Sequence, residues 1–330
     1  MRVIVTGGAG FIGANLCREL ASRPQVGEVV AFDDLSTGSA ANLHGVDARL
    51  VEGSILDREL LAETVHGADA VVHLAARPSV TRSLTDPVAS HEVNASGTVY
   101  VLEACRRASI HVVAASSSSV YGSVAELPKH EELPTRPLSP YGASKLSTEA
   151  YVLAYGAGFG LPTLALRFFN VYGPLQSAGH AYAAVIPAFI DAALRGEPLR
   201  VHGDGHQTRD FTFVGTVTRV LADAVIGGVT CETPVNLAFG TRMSILDLAH
   251  QVSATMGVPI EICHEPPRAG DVRDSQAAAG CLRRLFPGVS PVALKDGLEQ
   301  TVEWFGTLPH YAGAQALPRG ATGSAAPQPA

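Results

Sequence analysis

The sequence predicts an α/β protein, a doubly wound parallel sheet with helices on both faces, followed by a smaller and mostly C-terminal lobe. Three observations carry this. Short runs that are apolar throughout (RVIVTGG, EVVAFDD, ADAVVHLAA, HVVAASSSS, TLALRFFNV) recur through the first half, and continuous apolarity suits strands buried on both faces. Amphipathic stretches such as FIGANLCRELAS lie between them, which is the rhythm of βα units. A glycine-rich turn follows the first strand. The 330 residues, 46% apolar and 17% charged, are enough for two lobes.

The first strand runs into VTGGAGFIG, so Gly7, Gly10 and Gly13 stand between strand and helix. Glycines there allow a tight turn, close approach of backbone to a pyrophosphate, and close packing of helix on strand. The next strand ends in VVAFDDLSTG. Asp33 follows the turn by about 20 residues, where a carboxylate accepts from the ribose 2′-hydroxyl of NAD and repels the 2′-phosphate of NADP. The strand HVVAASSSSVYG opens its carboxyl end into the crevice where α/β ligands bind, so one of its hydroxyls can meet a reacting oxygen. For Ser116, Ser118 and Ser119 close packing is the simpler reading.

LSPYGASKL carries Tyr141 and Lys145 four residues apart, with Ser139 as N-cap and Pro140 at the first helical position. Both side chains then leave one face of one helix. A phenol titrates near pH 10; a nearby ammonium and the positive ring of bound NAD would lower that and make Tyr141 a usable base. After about Val171 the pattern loosens, although GTVTRVLADAVIG and SILDLAHQVSATMG still read as helices, the second capped by Ser244. From about Leu308 the composition is Ala, Gly and Pro with little to bury, so a disordered tail is expected over 307–330.

TGGAGFIG, AASSSSVYG, SPYGASK and RFFNVYGP together resemble the extended short-chain dehydrogenase/reductase family, and within it the nucleotide-sugar epimerases and dehydratases. The likeness runs from Met1 to about Phe305. It implies a Rossmann-type NAD-binding domain over 1–170, with 208–237 returning to it, and a sugar-nucleotide lobe over 171–207 and 238–306. It places Ser117 at the family's catalytic Ser/Thr, beside Tyr141 and Lys145. The cofactor contacts it implies are Gly7, Gly10, Phe11, Ile12 and Gly13 in the turn and Asp33 on the adenosine ribose. Further contacts are Ser54 and Ile55 in VEGSILD, Leu74 and Ala75 in HLAARPSV, Asn94 in EVNASGT, and Tyr141 and Lys145. Ser54 departs from the family, which usually has Asp there.

For the sugar nucleotide, the resemblance points to Ser117, to Asn170 in RFFNVYGP and to Val185 in YAAVIP. It adds Arg209 in GDGHQTRDF, Arg268 and Asp271 in PPRAGDVRDS, and Ser275 at the gate of the hexose pocket. Where the family's 4,6-dehydratases carry an Asp-Glu pair and its decarboxylases a Glu, this chain has Ser118 and Ser119. With no acid there, the expected activity is inversion of C4 of a UDP-hexose or UDP-N-acetylhexosamine through a 4-keto sugar. The chain looks most like UDP-N-acetylglucosamine 4-epimerases. A UDP-glucuronate 4-epimerase stays open, and would be favoured by a pocket-facing cation such as Arg77 or Arg82. The alternative of another class, a non-catalytic NAD-sensing regulator, has no need of the Ser117, Tyr141 and Lys145 set.

The remaining features exclude more than they add. A net charge of −7 without a basic run argues against nucleic-acid and membrane partners. Five cysteines with no CxxC pair suit free thiols in the cytoplasm. His202 and His206 in VHGDGH are spaced like a metal pair, but GDG is a turn and the rings need not share a face. No metal is expected, and the family likeness implies a homodimer.

Overall fold

The computed structural model describes residues 1–179, 183–267 and 272–311. Its first half runs β1 (Arg2–Thr6), α1 (Phe11–Ala21), β2 (Glu28–Asp33), β3 (Arg49–Glu52), α2 (Arg58–Val65), β4 (Ala70–His73), α3 (Val80–Thr85), α4 (Pro87–His91), α5 (Gly97–Arg106), β5 (His111–Ser117), α6 (Pro140–Phe159) and β6 (Thr163–Phe168). The second half runs β7 (Asn170–Tyr172), α7 (Val185–Arg195), β8 (Leu199–His202), β9 (Thr208–Arg209), β10 (Phe211–Phe213), α8 (Val214–Ile226), β11 (Val235–Leu237), β12 (Met243–Ser244), α9 (Ile245–Met256), β13 (Ile262–Glu265), α10 (Gly280–Leu285) and α11 (Leu294–Thr307).

Seven strands form one sheet in the order β11-β6-β5-β4-β1-β2-β3, and every pairing in it is parallel. The winding reverses between β1 and β4, so a crevice opens beyond their carboxyl ends. Alternate residues of β1 explain the two layers of helices. Val3 and Val5 pack with Leu16, Leu20, Val217 and Leu221 of α1 and α8 on one face. Ile4 packs with Leu102 and Val152 of α5 and α6 on the other. Each such side chain contributes about 1.5–3 kcal/mol by leaving water.

A second apolar cluster joins α7, α9 and α11 through Phe189, Ile190, Leu248, Val252, Leu298 and Phe305. The two-stranded sheets β10-β7, β12-β9 and β13-β8 connect this lobe to the crevice. Residues after β10 go back to the large sheet: α8 packs on α1 and β11 is its outermost strand.

Two boundaries differ from the sequence expectation. Residues 238–306 are not all in the second lobe, because Leu282, Phe286 and Val289 join the core that holds Val235 and Leu237. They cover β11, an edge strand whose apolar face would otherwise be bare. The expected tail from 307 begins too early as well. Pro309–Tyr311 forms a helical turn; Tyr311 is buried, packs on Phe305 and donates a hydrogen bond to Asp191. An aromatic ring with an apolar pocket to fill overrides the Ala, Gly and Pro composition around it. The rest of the expected tail, 312–330, lies outside the described residues. Tyr311→Ala is therefore expected to cost about 3 kcal/mol, read by urea unfolding; a midpoint equal to wild type would show that this turn is not part of the core.

Candidate active site

The crevice is a cleft of about 770 Å³. Its floor begins at the glycine turn. Gly7 has φ +71, and a Cβ there would meet the backbone N of Ala75 at 2.8 Å; a Cβ on Gly13 would meet the Gly7 carbonyl oxygen at 2.0 Å. Only hydrogen fits at either position. Gly10 caps α1 with no side chain, so the helix's first N–H groups face the cleft, where an anion is stabilised. Gly7, Gly10, Phe11, Ile12 and Gly13 all line it. Asp33, at the end of β2, lines it too, and its carboxylate accepts from the N–H groups of Ala9 at 2.9 Å and Leu35 at 2.8 Å. Burial raises its pKa above the usual carboxylate range, and those N–H donors pull it partly back.

The opposite wall is made by β5 and α6. Ser139 accepts from the N–H of Gly142 at 3.1 Å and Pro140 occupies the first turn, so α6 starts where its capping residues dictate. That start puts Tyr141 and Lys145 in the wall, with Leu74 and Ala75 from the end of β4. Ser117 ends β5; its Oγ accepts from the N–H of Ser119 at 3.1 Å and lies 2.7 Å from the Ser119 hydroxyl. The Tyr141 phenol is near enough to Ser117 for that hydroxyl to lower its pKa, and Ser117, Tyr141 and Lys145 all line the cleft. The three residues singled out in the sequence thus meet.

Their electrostatics differ from expectation. Burial raises the Tyr141 phenol, and the Ser117 bond only partly opposes it. Burial also pulls the Lys145 ammonium down to about 8. Lys145 is buried and Tyr141 is half-buried in the cleft wall, and loss of hydration favours the neutral form of each. The lowered phenol expected from sequence is therefore not supplied by the protein's own groups.

Three expected contacts are placed elsewhere. Asn94 is buried: its amide donates to Ser144 Oγ at 2.9 Å and the Arg77 carbonyl at 3.3 Å, and it accepts from the Arg77 N–H at 2.7 Å. It fixes the loop that lines the cleft and does not line it. Ser54 accepts from the N–H of Leu56 at 3.2 Å, and the wall there is Gly53 and Ile55. Ser275 is outside both described cavities, and its N–H donates to the Thr208 carbonyl. Arg268 and Asp271 lie outside the described residues.

A second cavity of about 240 Å³ contains Val185 and Arg209 and shares Asn170, Val171 and Gln176 with the cleft. It combines apolar Phe189, Phe211 and Ile245 with Arg200 and Arg209. Gln176 was not foreseen from sequence. Its Nε2 donates to the Val171 carbonyl at 3.2 Å, while its buried Oε1 has no partner, at the junction of the two cavities. Arg77 and Arg82 both line the cleft. Among the described residues no group of three or more metal-binding side chains exists, and no helix is long and apolar enough to cross a membrane.

These features are those of a dinucleotide enzyme, and comparison with known proteins gives the class. Residues 3–225 match the NAD dependent epimerase/dehydratase family. The UDP-glucose 4-epimerase of Mycolicibacterium smegmatis is 37% identical, covering 92% of this chain and 98% of that protein. The dTDP-glucose 4,6-dehydratase of Streptomyces niveus is 35% identical over 92% and 93%. Among solved structures, a UDP-N-acetylglucosamine 4-epimerase from Methanobrevibacter ruminantium M1 superposes with a TM-score of 0.87 at 33% identity, over 92% of this chain and 97% of that one. The chain belongs to the NAD dependent epimerase/dehydratase family. Its cofactor is NAD, which the glycine cradle and buried Asp33 fit.

Asp33→Asn is expected to weaken NAD binding by about tenfold and to narrow the preference over NADP, read by calorimetry on protein freed of bound cofactor. Undiminished discrimination would remove Asp33 from the ribose.

Proposed function

We propose that the protein inverts C4 of a UDP-hexose or UDP-N-acetylhexosamine. The observation that supports this is the wall at the end of β5. Ser117, Ser118 and Ser119 line it, and the only carboxylates among the described lining residues are Asp33 and Asp34, at the end of β2. Elimination of water from a sugar needs a proton donor beside the ring, and this wall offers hydroxyls instead. Taking one proton and returning it needs less.

NAD, when bound, supplies hydride acceptance at C4 and its return. Tyr141 takes the proton of the C4 hydroxyl, Ser117 hydrogen-bonds the same oxygen, and Lys145 keeps a positive charge beside the phenol. The sugar becomes a 4-keto sugar and turns over while its diphosphate stays held by Arg209, with Arg268, and it is then reduced on its other face. No net oxidation results. The second cavity, part apolar and part cationic, suits the base and diphosphate.

A uronic acid is the second reading, favoured by Arg77 and Arg82 in the cleft wall, although Arg77 already pairs with Asp86 at 3.1 Å. We also propose a homodimer through Leu84, Val88 and Tyr151, exposed on the mutually packed α3, α4 and α6.

With UDP-glucose, UDP-N-acetylglucosamine and UDP-glucuronate supplied separately, NMR is expected to show C4 inversion of at least one of the first two. Tyr141→Phe should lower that turnover by about 10²–10⁴-fold; unchanged turnover would mean that another group is the base. Because the Lys145 ammonium is required, turnover should fall as pH rises through about 8, read from kcat against pH. A profile flat through that region would contradict the role of Lys145.

A further inference from the structure

Glu149 is one turn beyond Lys145 and two beyond Tyr141 on α6, so the three share one stripe of the helix. Opposite charges four residues apart on a helix attract each other. Here the acid is engaged elsewhere. Arg167 on β6 donates from Nε to Glu149 Oε2 at 2.9 Å and from Nη2 to Oε1 at 2.7 Å. Ser116 Oγ donates to Oε2 at 2.8 Å. Ser116, Glu149 and Arg167 are all buried.

The guanidinium is fixed from several sides. Arg167 and Ser116 are register partners across β5 and β6. Its Cζ lies 4.6 Å from the centroid of the Tyr121 ring, and its Nη1 donates to the Glu131 carbonyl at 3.3 Å. The Tyr121 hydroxyl in turn donates to Asn236 Oδ1 at 2.8 Å. A planar fork so held suits a bidentate carboxylate.

We propose that Arg167 is a positioning residue: by occupying both oxygens of Glu149 from the neighbouring strand, it keeps that carboxylate off Lys145 and leaves the ammonium to Tyr141 and the cofactor. This rests on the roles given above to Tyr141 and Lys145. The charged and titratable groups around the stripe are Tyr141, Lys145 and Glu149 on α6, His73 on β4, Arg167 on β6, and Tyr121 and Glu131 after β5. A buried carboxylate that loses its partner turns to the nearest cation. Without Arg167, the buried cation one turn back on the same helix is Lys145.

The test compares Arg167→Met, Glu149→Gln and the double variant for Tm, kcat, KM and the pH dependence of kcat. Both single variants should lose stability, because each strands a buried charge. Only Arg167→Met should lose kcat, by about 100-fold per folded molecule, with KM within about threefold. Its alkaline limb should move to higher pH, since an ammonium paired with a carboxylate holds its proton longer. The double variant should regain roughly tenfold over Arg167→Met. Equal kcat losses in the two single variants, or a double no better than Arg167→Met, overturn the proposal. If Arg167→Met does not fold, Arg167→Lys keeps the charge without the fork and should shift the same limb in the same direction; an unmoved limb overturns the proposal. Tyr141→Phe is run alongside. Normal turnover in that variant would condemn the underlying reading of the site, whatever the Arg167 variants do.

Discussion

One stripe of α6 sets the terms for the rest of the site. Tyr141, Lys145 and Glu149 follow one another up the helix; all three are titratable, with Lys145 and Glu149 buried and Tyr141 half-buried at the cleft wall. Burial favours the neutral form of a phenol and of an ammonium alike, so Tyr141 is raised and Lys145 is lowered. The third group is balanced by an arginine 2.7 Å away. Coulomb attraction in such a pair is largely offset by the cost of desolvating both ions. Its value is placement, since it ties α6 to β6 at a point one turn from the chemistry.

The neighbouring layers serve the same placement. Every residue of β5 is buried, and its small C-terminal side chains let α6 lie close; a Cβ on Gly142 would meet the Ser119 carbonyl oxygen at 2.9 Å. Beneath the cleft, His73 on β4 bridges Thr6 at 2.8 Å and Thr98 at 3.0 Å. Thr98 and Asn94 in turn reach Thr148 and Ser144 of α6. Burial holds His73 down to about 3, so it joins β1 to α5 as a neutral ring. The phosphate-binding turn and the Tyr-Lys helix are thus connected by a layer of short, buried hydrogen bonds, which is a stiff arrangement.

The parts legible in sequence are those whose chemistry is local. The glycine turn, Asp33 at the end of β2, and the Ser139-Pro140 start of α6 each depend on a few consecutive residues, and each has the expected geometry. Asn94 and Ser54 stand apart from the expected contacts for a common reason. A polar side chain near a cleft can satisfy itself inward on backbone, and only the fold decides which way it turns; Asn94 is consumed by Arg77 and Ser144. Gln176 and Arg77 in loops and Arg82 on the short α3 are illegible for the converse reason, since such residues reach a cavity only through the packing of distant segments. Tyr311 shows composition misleading, because one aromatic ring with a pocket to fill outweighs the small residues and prolines around it.

The central claim is that Tyr141, Lys145 and Ser117 manage a reversible oxidation at one carbon with no acid beside the ring to expel water. It is tested most directly with a UDP-hexose carrying deuterium at C4, followed by NMR on the NAD-loaded protein. The account predicts the C4 epimer with the deuterium still on C4. A product that has lost water, or whose label has moved to another carbon or washed into solvent, would contradict it.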